Sequence, residues 1–433
     1  MSDVAAAIAY LRSPLAIRAR CEAIFEAGMA GALRHFTIDL AALPAVADRV
    51  VAVTRAAYPD LQIPVHGRIN HFRAGGIDRV AALDARLAAL SPDDRARTWI
   101  DLVMVSVLLD AGAGDAWRFR EPGTGLELAR SEGLAVASLH AFTAGVFSSD
   151  AARPLRANAA GLAALDPGRL AAAFQHGPDN PLIGFDGRVE LVRALGAAVA
   201  AAPGLFAGGR PGGLIDHLDA VAAGGMAAAA AVPRTTPPGG MPGAGAGAPR
   251  VIDAVEILRA LLDGLAPIWP GRIVLGGHNL GDVWRHPAAG GTGPSAGLVP
   301  FHKLSQWLAY SLFEPLERAG RAIAQPGALT GLPEYRNGGL FLDLGVLAPR
   351  RDEVRTAVHA PGDEVIVEWR ALTVALLDRL AEAVRQRLGK TPAELPLARV
   401  LEGGSWAAGR AVARELRAGG GPPLQIQSDG TVF

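Results

Sequence analysis

One predicted helix carries a lysine and two aromatic rings on the face that would ordinarily meet water. The apolar residues of segment 301–316 recur with helical spacing and form a core-facing stripe at Phe301, Leu304, Leu308, Leu312 and Leu316. The opposite face carries Lys303, Gln306, Trp307 and Tyr310. An amine between aromatic rings can hold an anion, so this face is the first candidate for chemistry.

A second polar group lies in the segment LPEYRNGGLFLDLGVL, residues 332–347. Glu334, Tyr335 and Arg336 come just before two glycines and a new apolar pattern, which places them at a junction between a loop and a helix. Active-site residues often occupy such junctions. A carboxylate in this position is also a common helix cap. The residues alone leave both interpretations open.

A third candidate is the carboxylate in VIVEWRALTVALL, residues 365–377. On a helical wheel Glu368 shares a face with Val365, Leu372 and Leu376, so we expect it to be desolvated. A buried carboxylate must be paired, hydrogen-bonded or protonated. Glu368 could therefore be catalytic, or it could be the structural partner of a buried arginine.

The remaining polar residues are scattered, and His66, Arg68, Arg118 and Asp282 are secondary candidates for a pocket. Arg118 can equally belong to a surface ion-pair group. His66 and His71 are five residues apart and would not share a helical face, so we predict no metal site and no cofactor. The chain contains no GxSxG motif and no phosphate-binding glycine loop.

The elements that would position these residues are mostly helices, and we predict a mainly α fold. Helical spacing covers segments 44–58, 96–112, 187–201, 252–265 and 363–388. The sequence Ser91-Pro92-Asp93-Asp94 predicts a capped helix start. Strand patterns are few and short, at 272–277 and 424–428.

The composition indicates a globular chain that does not bind nucleic acid. Half of the 433 residues are hydrophobic, 19% are charged, and the net charge is zero, which argues against a nucleic-acid partner. A single cysteine excludes a disulfide within the chain. We found neither a signal-peptide pattern nor a long apolar run of large side chains, and we expect a cytoplasmic protein with no membrane partner.

The low-complexity segment 223–250 is rich in alanine, glycine and proline and predicts a flexible insert. It separates an N-terminal helical part, residues 1–222, from a C-terminal helical part, residues 251–433, which carries most of the candidate site. We expect the two parts to form one large composite domain.

Several segments resemble the uracil-catabolism family of fungi and bacteria, among them WRFREP, WPGRIVLGGHNLGDVWRHP, LVPFHKLSQWLAYSL and the terminal SDGTVF. The resemblance covers the chain outside the 223–250 insert. That family is associated with a uracil phosphoribosyltransferase and with a protein similar to GTP cyclohydrolase II. The resemblance therefore implies a nucleoside-like substrate and a possible pathway association with the cyclohydrolase-like protein.

The order of PFHKLSQWL, LPEYRNGGLFLDLGVL and EVIVEWRALTV is also similar to the queuosine-nucleoside glycosylase (queuosine salvage) family. This second resemblance implies a helical core like that of helix–hairpin–helix glycosylases and hydrolysis of an N-glycosidic bond. Carried over residue by residue, it makes Lys303 and Glu334 catalytic, with Tyr335, Arg336, Glu368 and Arg370 as binding residues. Glu334 stands where that family has an aspartate, and Ser311 where an aspartate is usual.

The two resemblances together suggest that the polar face of segment 301–316 lines a pocket walled by Trp307 or Tyr310. The main hypothesis is hydrolysis of the N-ribosyl bond of ribosylurea or its 5-phosphate. Two alternatives stay open. One is a hydrolase acting on an amide or ureide bond of a ring-opened pyrimidine, and the other is a non-catalytic partner of the cyclohydrolase-like protein.

Overall fold

The computed structural model describes residues 3–110, 112–230 and 250–427, and their secondary structure is mainly α, as the sequence predicts. The N-terminal part contains helices α1 (Asp3–Leu11), α2 (Pro14–Met29), α3 (Leu43–Ala57), α4 (Arg68–His71), α5 (Arg79–Arg86), α6 (Pro92–Leu108), α7 (Arg130–Thr143), α8 (Ala159–Ala163), α9 (Pro167–Ala173), α10 (Phe185–Ala201) and α11 (Leu214–Ala230). The C-terminal part contains α12 (Ala254–Gly264), α13 (Lys303–Arg318), α14 (Tyr335–Asp343), α15 (Glu353–Thr356), α16 (Glu364–Leu388), α17 (Leu397–Val400) and α18 (Trp406–Leu416).

The strands are short and form two-stranded pairs. The antiparallel pairs are β1 (Phe36–Ile38) with β10 (Leu347–Pro349), β2 (Phe119–Arg120) with β3 (Glu127–Leu128), β5 (Val274–Leu275) with β6 (His278–Asn279), and β7 (Val283–Arg285) with β8 (Leu298–Pro300). The parallel pairs are β4 (Arg250–Asp253) with β9 (Arg321–Ala324) and β11 (Val358–His359) with β12 (Gln425–Ile426). Strands β5 and β12 lie inside the two segments for which the sequence predicts strand.

Local sequence explains where the main helices begin and end. The Ser91 side chain accepts a hydrogen bond from the Asp94 amide, and Pro92 occupies the first turn of α6, as predicted. The long helix α16 ends at Gly389, whose φ of 63° suits a residue without a side chain. Both helices are buried along most of their length, so each contributes side chains to the core from more than one face.

One continuous hydrophobic core joins the two halves of the chain. It runs from Ile17 on α2 to Leu424 near β12, and α16 packs against both α2 and α3. Helix α13 lies inside this core and packs against α6 and α12. Among the residues that the structure describes, no helix is both long and apolar enough to cross a membrane.

The predicted insert is helical in its first residues, because α11 continues to Ala230, and its last residue Arg250 begins β4. The rest of the segment, residues 231–249, lies outside the described residues. So does the terminal SDGTVF motif, residues 428–433.

Candidate active site

Lys303 is the first residue of α13, and its backbone is fixed on both sides. His302, which precedes it, has a φ of 46°, a left-handed conformation that is uncommon for a residue with a side chain. The His302 ring compensates by hydrogen bonding to the Leu11 carbonyl through Nε2 at 2.9 Å. The Asp282 Oδ2 atom accepts a hydrogen bond from the Lys303 amide at 3.0 Å. Strained backbone of this kind persists where the surroundings determine it, often at functional sites.

Asp282 is itself held by Arg370 of α16 in a two-pronged ion pair. Both guanidinium–carboxylate distances are 2.8 Å, and the Trp284 indole donates a further hydrogen bond at 2.6 Å. Burial alone would raise the pKa of Asp282, but the Arg370 guanidinium holds that pKa well below its usual range. Asp282 and Arg370 therefore support the start of α13 as a fixed, fully charged pair.

A cavity of about 360 Å³ opens beside the first turn of α13. Its polar and aromatic lining comes from Lys303, Trp307, Glu334, Tyr335, Arg336, His66, His71, Asp110, Asp115, Arg130, Ser131 and Trp406. Glycines 420 and 421 close part of the wall. A volume of this size suits a small polar molecule such as a nucleoside fragment.

Glu334 stands at the N-terminus of α14, where it caps the helix and also faces the cavity. Its Oε2 and Oε1 atoms accept hydrogen bonds from the Arg336 and Asn337 amides, at 2.7 and 2.6 Å, so it caps the helix. The same side chain also lines the cavity. Burial raises the pKa of Glu334, although the two amides and then Lys303 oppose the shift. A carboxylate with a raised pKa is a better proton acceptor than a solvated one.

Lys303 faces the same cavity and interacts electrostatically with Glu334. Burial lowers the pKa of the Lys303 ammonium group, and the Glu334 carboxylate is the first of the charges that oppose this effect. Burial thus disfavours the charged form of both groups, which shifts their pKa values toward each other. Groups with opposed shifts in one cavity are suited to exchanging protons with a ligand.

A second carboxylate, Asp110, lies on the cavity wall just after α6. Its Oδ2 atom is paired with the Arg68 guanidinium at 3.1 Å. Its Oδ1 atom is buried and has no hydrogen-bond partner among the described residues. A buried acceptor of this kind usually serves a ligand or a bound water. Asp110 therefore offers an acceptor to a hydroxyl or N–H group in the cavity.

Two imidazoles and two indoles form another part of the wall. His66 and His71 each lie about 6 Å, centroid to centroid, from the rings of both Trp307 and Trp406. His66 Nδ1 is 2.7 Å from the Glu402 carboxylate. Burial, followed by the Arg68 charge, lowers the pKa of His71. The indoles give this part of the wall an apolar surface, and the imidazoles add polar edges to it.

Arg336 and Tyr335 complete the lining on the α14 side. The Arg336 guanidinium stacks 4.8 Å from the Tyr335 ring centroid and donates to the Gly420 carbonyl at 3.2 Å. Its Nε atom is buried without a protein partner in the described ranges, as is the indole nitrogen of Trp307. These two donors complement the acceptor on Asp110, so the cavity presents both kinds of hydrogen-bonding group.

The structure brings six of the predicted site residues to one cavity, namely Lys303, Trp307, Glu334, Tyr335, Arg336 and His66. Six other predicted residues are not among the described residues that line this cavity, namely Tyr310, Arg68, Arg118, Glu368, Arg370 and Asp282. The pair of Asp282 and Arg370 supports α13, as described above. The other four residues have contacts that explain their positions.

Tyr310 points into the core, where its hydroxyl donates to the Thr330 carbonyl at 3.1 Å. Arg68 is fully buried behind Trp307 and holds Asp110 and Ser106. The Arg118 side chain is 45% exposed and bonds nearby carbonyls, as the surface interpretation predicts. These contacts account for the positions of the three residues, and none of the three lines the cavity.

Glu368 is buried, as its wheel position predicts, but its partners are not an arginine. Its Oε1 atom accepts hydrogen bonds from the backbone amides of His35 and Phe36, at 3.2 and 2.9 Å. It therefore fixes the segment before β1 to helix α16.

Asp110, His71 and Trp406 line the cavity although the sequence analysis did not select them. Asp110 carried a usable signal, because a carboxylate just past the C-terminus of a helix is unfavourably placed against the helix dipole. Such a residue needs a cation or a function. His71 was set aside on spacing, and Trp406 has no local pattern that separates it from a core tryptophan.

Comparison with known proteins identifies relatives that match this chain over nearly their full length. The family model described as "Protein of unknown function (DUF1688)" matches residues 10–433. The chain is 38% identical over 434 residues to Protein urg3 of Schizosaccharomyces pombe, covering 98% of this chain and 99% of that protein. It is 35% identical over 457 residues to Uracil catabolism protein 4 of Lachancea kluyveri, again covering 98% and 99%.

Proposed function

We propose that this chain, which belongs to the DUF1688 family, acts in uracil catabolism by hydrolysing the N-ribosyl bond of ribosylurea or its 5-phosphate. The pathway is supported by the name of the full-length relative from Lachancea kluyveri. The reaction type is supported by the cavity at the start of α13.

The observation that carries the proposal is the placement of Glu334 and Lys303 on the wall of one cavity, where they interact electrostatically. Cleavage of an N-ribosyl bond passes through a state with positive charge on C1′ and the ring oxygen. A carboxylate facing C1′ stabilises that charge and can take a proton from the attacking water. The raised pKa of Glu334 suits it to the second task.

The reaction balances without a further reagent. The water oxygen forms a bond to C1′, the C1′–N bond breaks, and one water proton passes to Glu334. The leaving urea nitrogen takes up a proton, for which Lys303 and protonated Glu334 are the donors in the cavity. The products are urea and ribose, or ribose 5-phosphate.

The other lining residues have roles that follow from their free atoms. The Asp110 Oδ1 atom accepts hydrogen bonds from sugar hydroxyls or urea N–H groups, and the Trp307 and Arg336 nitrogens donate to substrate oxygens. Trp307 and Trp406 contribute apolar surface to the cavity, and the lower local dielectric strengthens the electrostatic effect of Glu334.

The test is a product assay with ribosylurea and its 5-phosphate as separate substrates. We expect wild-type protein to release urea and sugar in equal amounts, and Glu334→Gln to lose activity by about 10²–10⁴-fold. Glu382→Gln, which changes an exposed glutamate of α16, is the matched control and should retain activity. Release of ammonia with the sugar still attached would replace the proposal by the ureide hydrolase. A failure to turn over or bind either compound would overturn the ribosylurea assignment.

A further inference from the structure

A group of metal-ligating side chains lies where α16 meets the segment before β1, outside the cavity lining. His35, Glu364 and Glu368 each offer one ligand atom, and these atoms all lie within 4.8 Å of one another. The His35 Nε2 and Glu364 Oε1 atoms are 3.6 Å apart. Two ligands of a tetrahedral zinc ion, each at about 2.1 Å, are about 3.4 Å apart.

The backbone presents these ligands in a fixed arrangement. Glu364 and Glu368 are one turn apart on the same face of α16. The His35 amide donates to Glu368 at 3.2 Å, and the His35 carbonyl accepts from the Arg350 amide at 2.8 Å. The imidazole therefore extends from a segment that is held on both sides.

Glu368 supplies a second observation, because one of its oxygens makes no hydrogen bond in the described chain although His286 Nε2 lies 3.5 Å from it. Its Oε1 atom accepts two backbone amides, but its Oε2 atom is buried and has no hydrogen-bond partner in the described chain. The residue is 0% exposed. An ionised carboxylate oxygen in that position requires a cation or a proton.

The charges around the group leave room for a dication. Arg34 faces the other oxygen of Glu364 at 3.6 Å, but its side chain is 74% exposed. His286 Nε2 is 3.5 Å from Glu368 Oε2. The His286 Nδ1 atom accepts a hydrogen bond from the Ala288 amide, so its proton is on Nε2 and it is an outer partner of the carboxylate, not a ligand. Two carboxylates thus face one exposed guanidinium.

We propose that His35, Glu364 and Glu368 bind one divalent transition-metal ion, with Zn²⁺ as the preferred ion. An imidazole with two carboxylates matches the ligands of zinc, whereas Mg²⁺ and Ca²⁺ prefer oxygen ligands alone. Water completes the shell on the side where His35 and Glu364 are partly exposed. The ion joins the start of α16 to the segment before β1. The proposal departs from the sequence-based expectation of no metal, which stays a prediction.

The test uses untagged full-length protein purified without chelator, and it does not depend on substrate. Elemental analysis should find about one transition-metal ion per chain in the wild type, and little in His35→Ala or Glu364→Gln. His278→Ala and Glu382→Gln change an exposed histidine and an exposed glutamate, and both variants should keep the ion. Circular dichroism confirms that each variant is folded.

A titration of chelator-treated protein with ZnCl₂, followed by calorimetry and thermal unfolding, gives the second measurement. We expect saturable binding at one site, a higher melting temperature on loading, and binding about 100-fold weaker in each ligand variant. The proposal is overturned if the wild type binds no transition metal in either experiment. It is also overturned if His35→Ala and Glu364→Gln bind Zn²⁺ as tightly as the wild type.

Discussion

Two buried pairs of opposite charge flank the first turn of α13, and they differ in how completely they are satisfied. Asp282 and Arg370 form a two-pronged ion pair that is supplemented by an indole and a backbone amide. Glu334 and Lys303 face the cavity, and burial shifts both of their pKa values toward the neutral forms. The first pair supports the start of α13, whereas the second is the pair that we propose reacts with a ligand.

Two neighbouring carboxyl groups therefore have pKa values that are shifted in opposite directions. Burial raises the pKa of an isolated carboxyl, but a matched guanidinium reverses the shift for Asp282. The charges around Glu334 do not reverse it. Substitution and pH change should therefore affect the two pairs differently.

The largest effect on stability is expected at the satisfied pair. Asp282→Asn removes the carboxylate that forms the two-pronged ion pair with buried Arg370, and we expect a loss of about 3–5 kcal/mol in the free energy of unfolding. Unfolding in guanidinium chloride measures this difference in the free energy of unfolding between the wild type and Asp282→Asn. Glu415→Gln removes an exposed ion pair with Arg49 and should cost less than about 1 kcal/mol. Equal costs for the two variants would contradict the assigned role of Asp282.

Lys303→Met should affect activity more than stability. Removing this amine takes away a charge that holds the pKa of Glu334 down, so that pKa should rise further. The acid limb of the pH profile of kcat/KM, which requires ionised Glu334, should then move to higher pH. We also expect kcat/KM to fall by about 10²-fold at the optimum. An acid limb that stays in place would show that Lys303 and Glu334 do not interact.

The pH dependence of stability should have opposite signs for the two carboxylates. Asp282 has a lowered pKa, so its contribution is present above its ordinary value of 3.8 and is lost as the pH falls toward the folded-state pKa. The deficit of Asp282→Asn should therefore narrow below that pH. Unfolding curves at a series of pH values measure this change.

For Glu334 the sign is reversed. Its pKa is raised above the ordinary value of 4.5, so its contribution is present below that pH and is lost as the pH rises through the folded-state pKa. Stability of the wild type relative to Glu334→Gln should thus decrease with rising pH. Parallel pH curves for wild type and Glu334→Gln would contradict the distinction between the pairs.

A small effect is expected at Tyr310, which the sequence analysis placed in the pocket and the structure places in the core. Tyr310→Phe removes one hydrogen bond to the Thr330 carbonyl and should cost about 1 kcal/mol of stability. The KM should stay unchanged. Trp307→Phe, on the cavity wall, is the paired variant and should raise the KM without a comparable loss of stability. A changed KM in Tyr310→Phe would show that Tyr310 contributes to substrate binding.

Much of the fold follows from periodicity, because long apolar repeats identify helices such as α6 and α16 within a few residues of their ends. Whether the polar face of a helix is exposed or buried is harder to predict. Gln306 and Tyr310 share the predicted polar face of α13, yet both are buried against Thr330. Periodicity identifies the first packing face of a helix, but it cannot reveal that a distant segment covers the second.

The candidate site was predictable where residue type and local position agree. Glu334 was recognisable at a junction between a loop and a helix, and the sequence left its capping and cavity roles open together. Glu368 was recognisably buried, but its backbone partners lie in the segment before β1, far away in sequence. The proposed ligand group around His35 was not predicted for the same reason, because metal-binding motifs identify only ligands that are close together in sequence.

The most direct test of the central claim is urea release by wild type and Glu334→Gln, measured on samples whose folded fractions have been matched by unfolding curves. We expect Glu334→Gln to remain folded at 25 °C and to bind ribosylurea or its 5-phosphate, but to release urea about 10²–10⁴-fold more slowly than the wild type. Wild-type rates in a folded Glu334→Gln protein would contradict the assignment of Glu334 as the catalytic carboxylate.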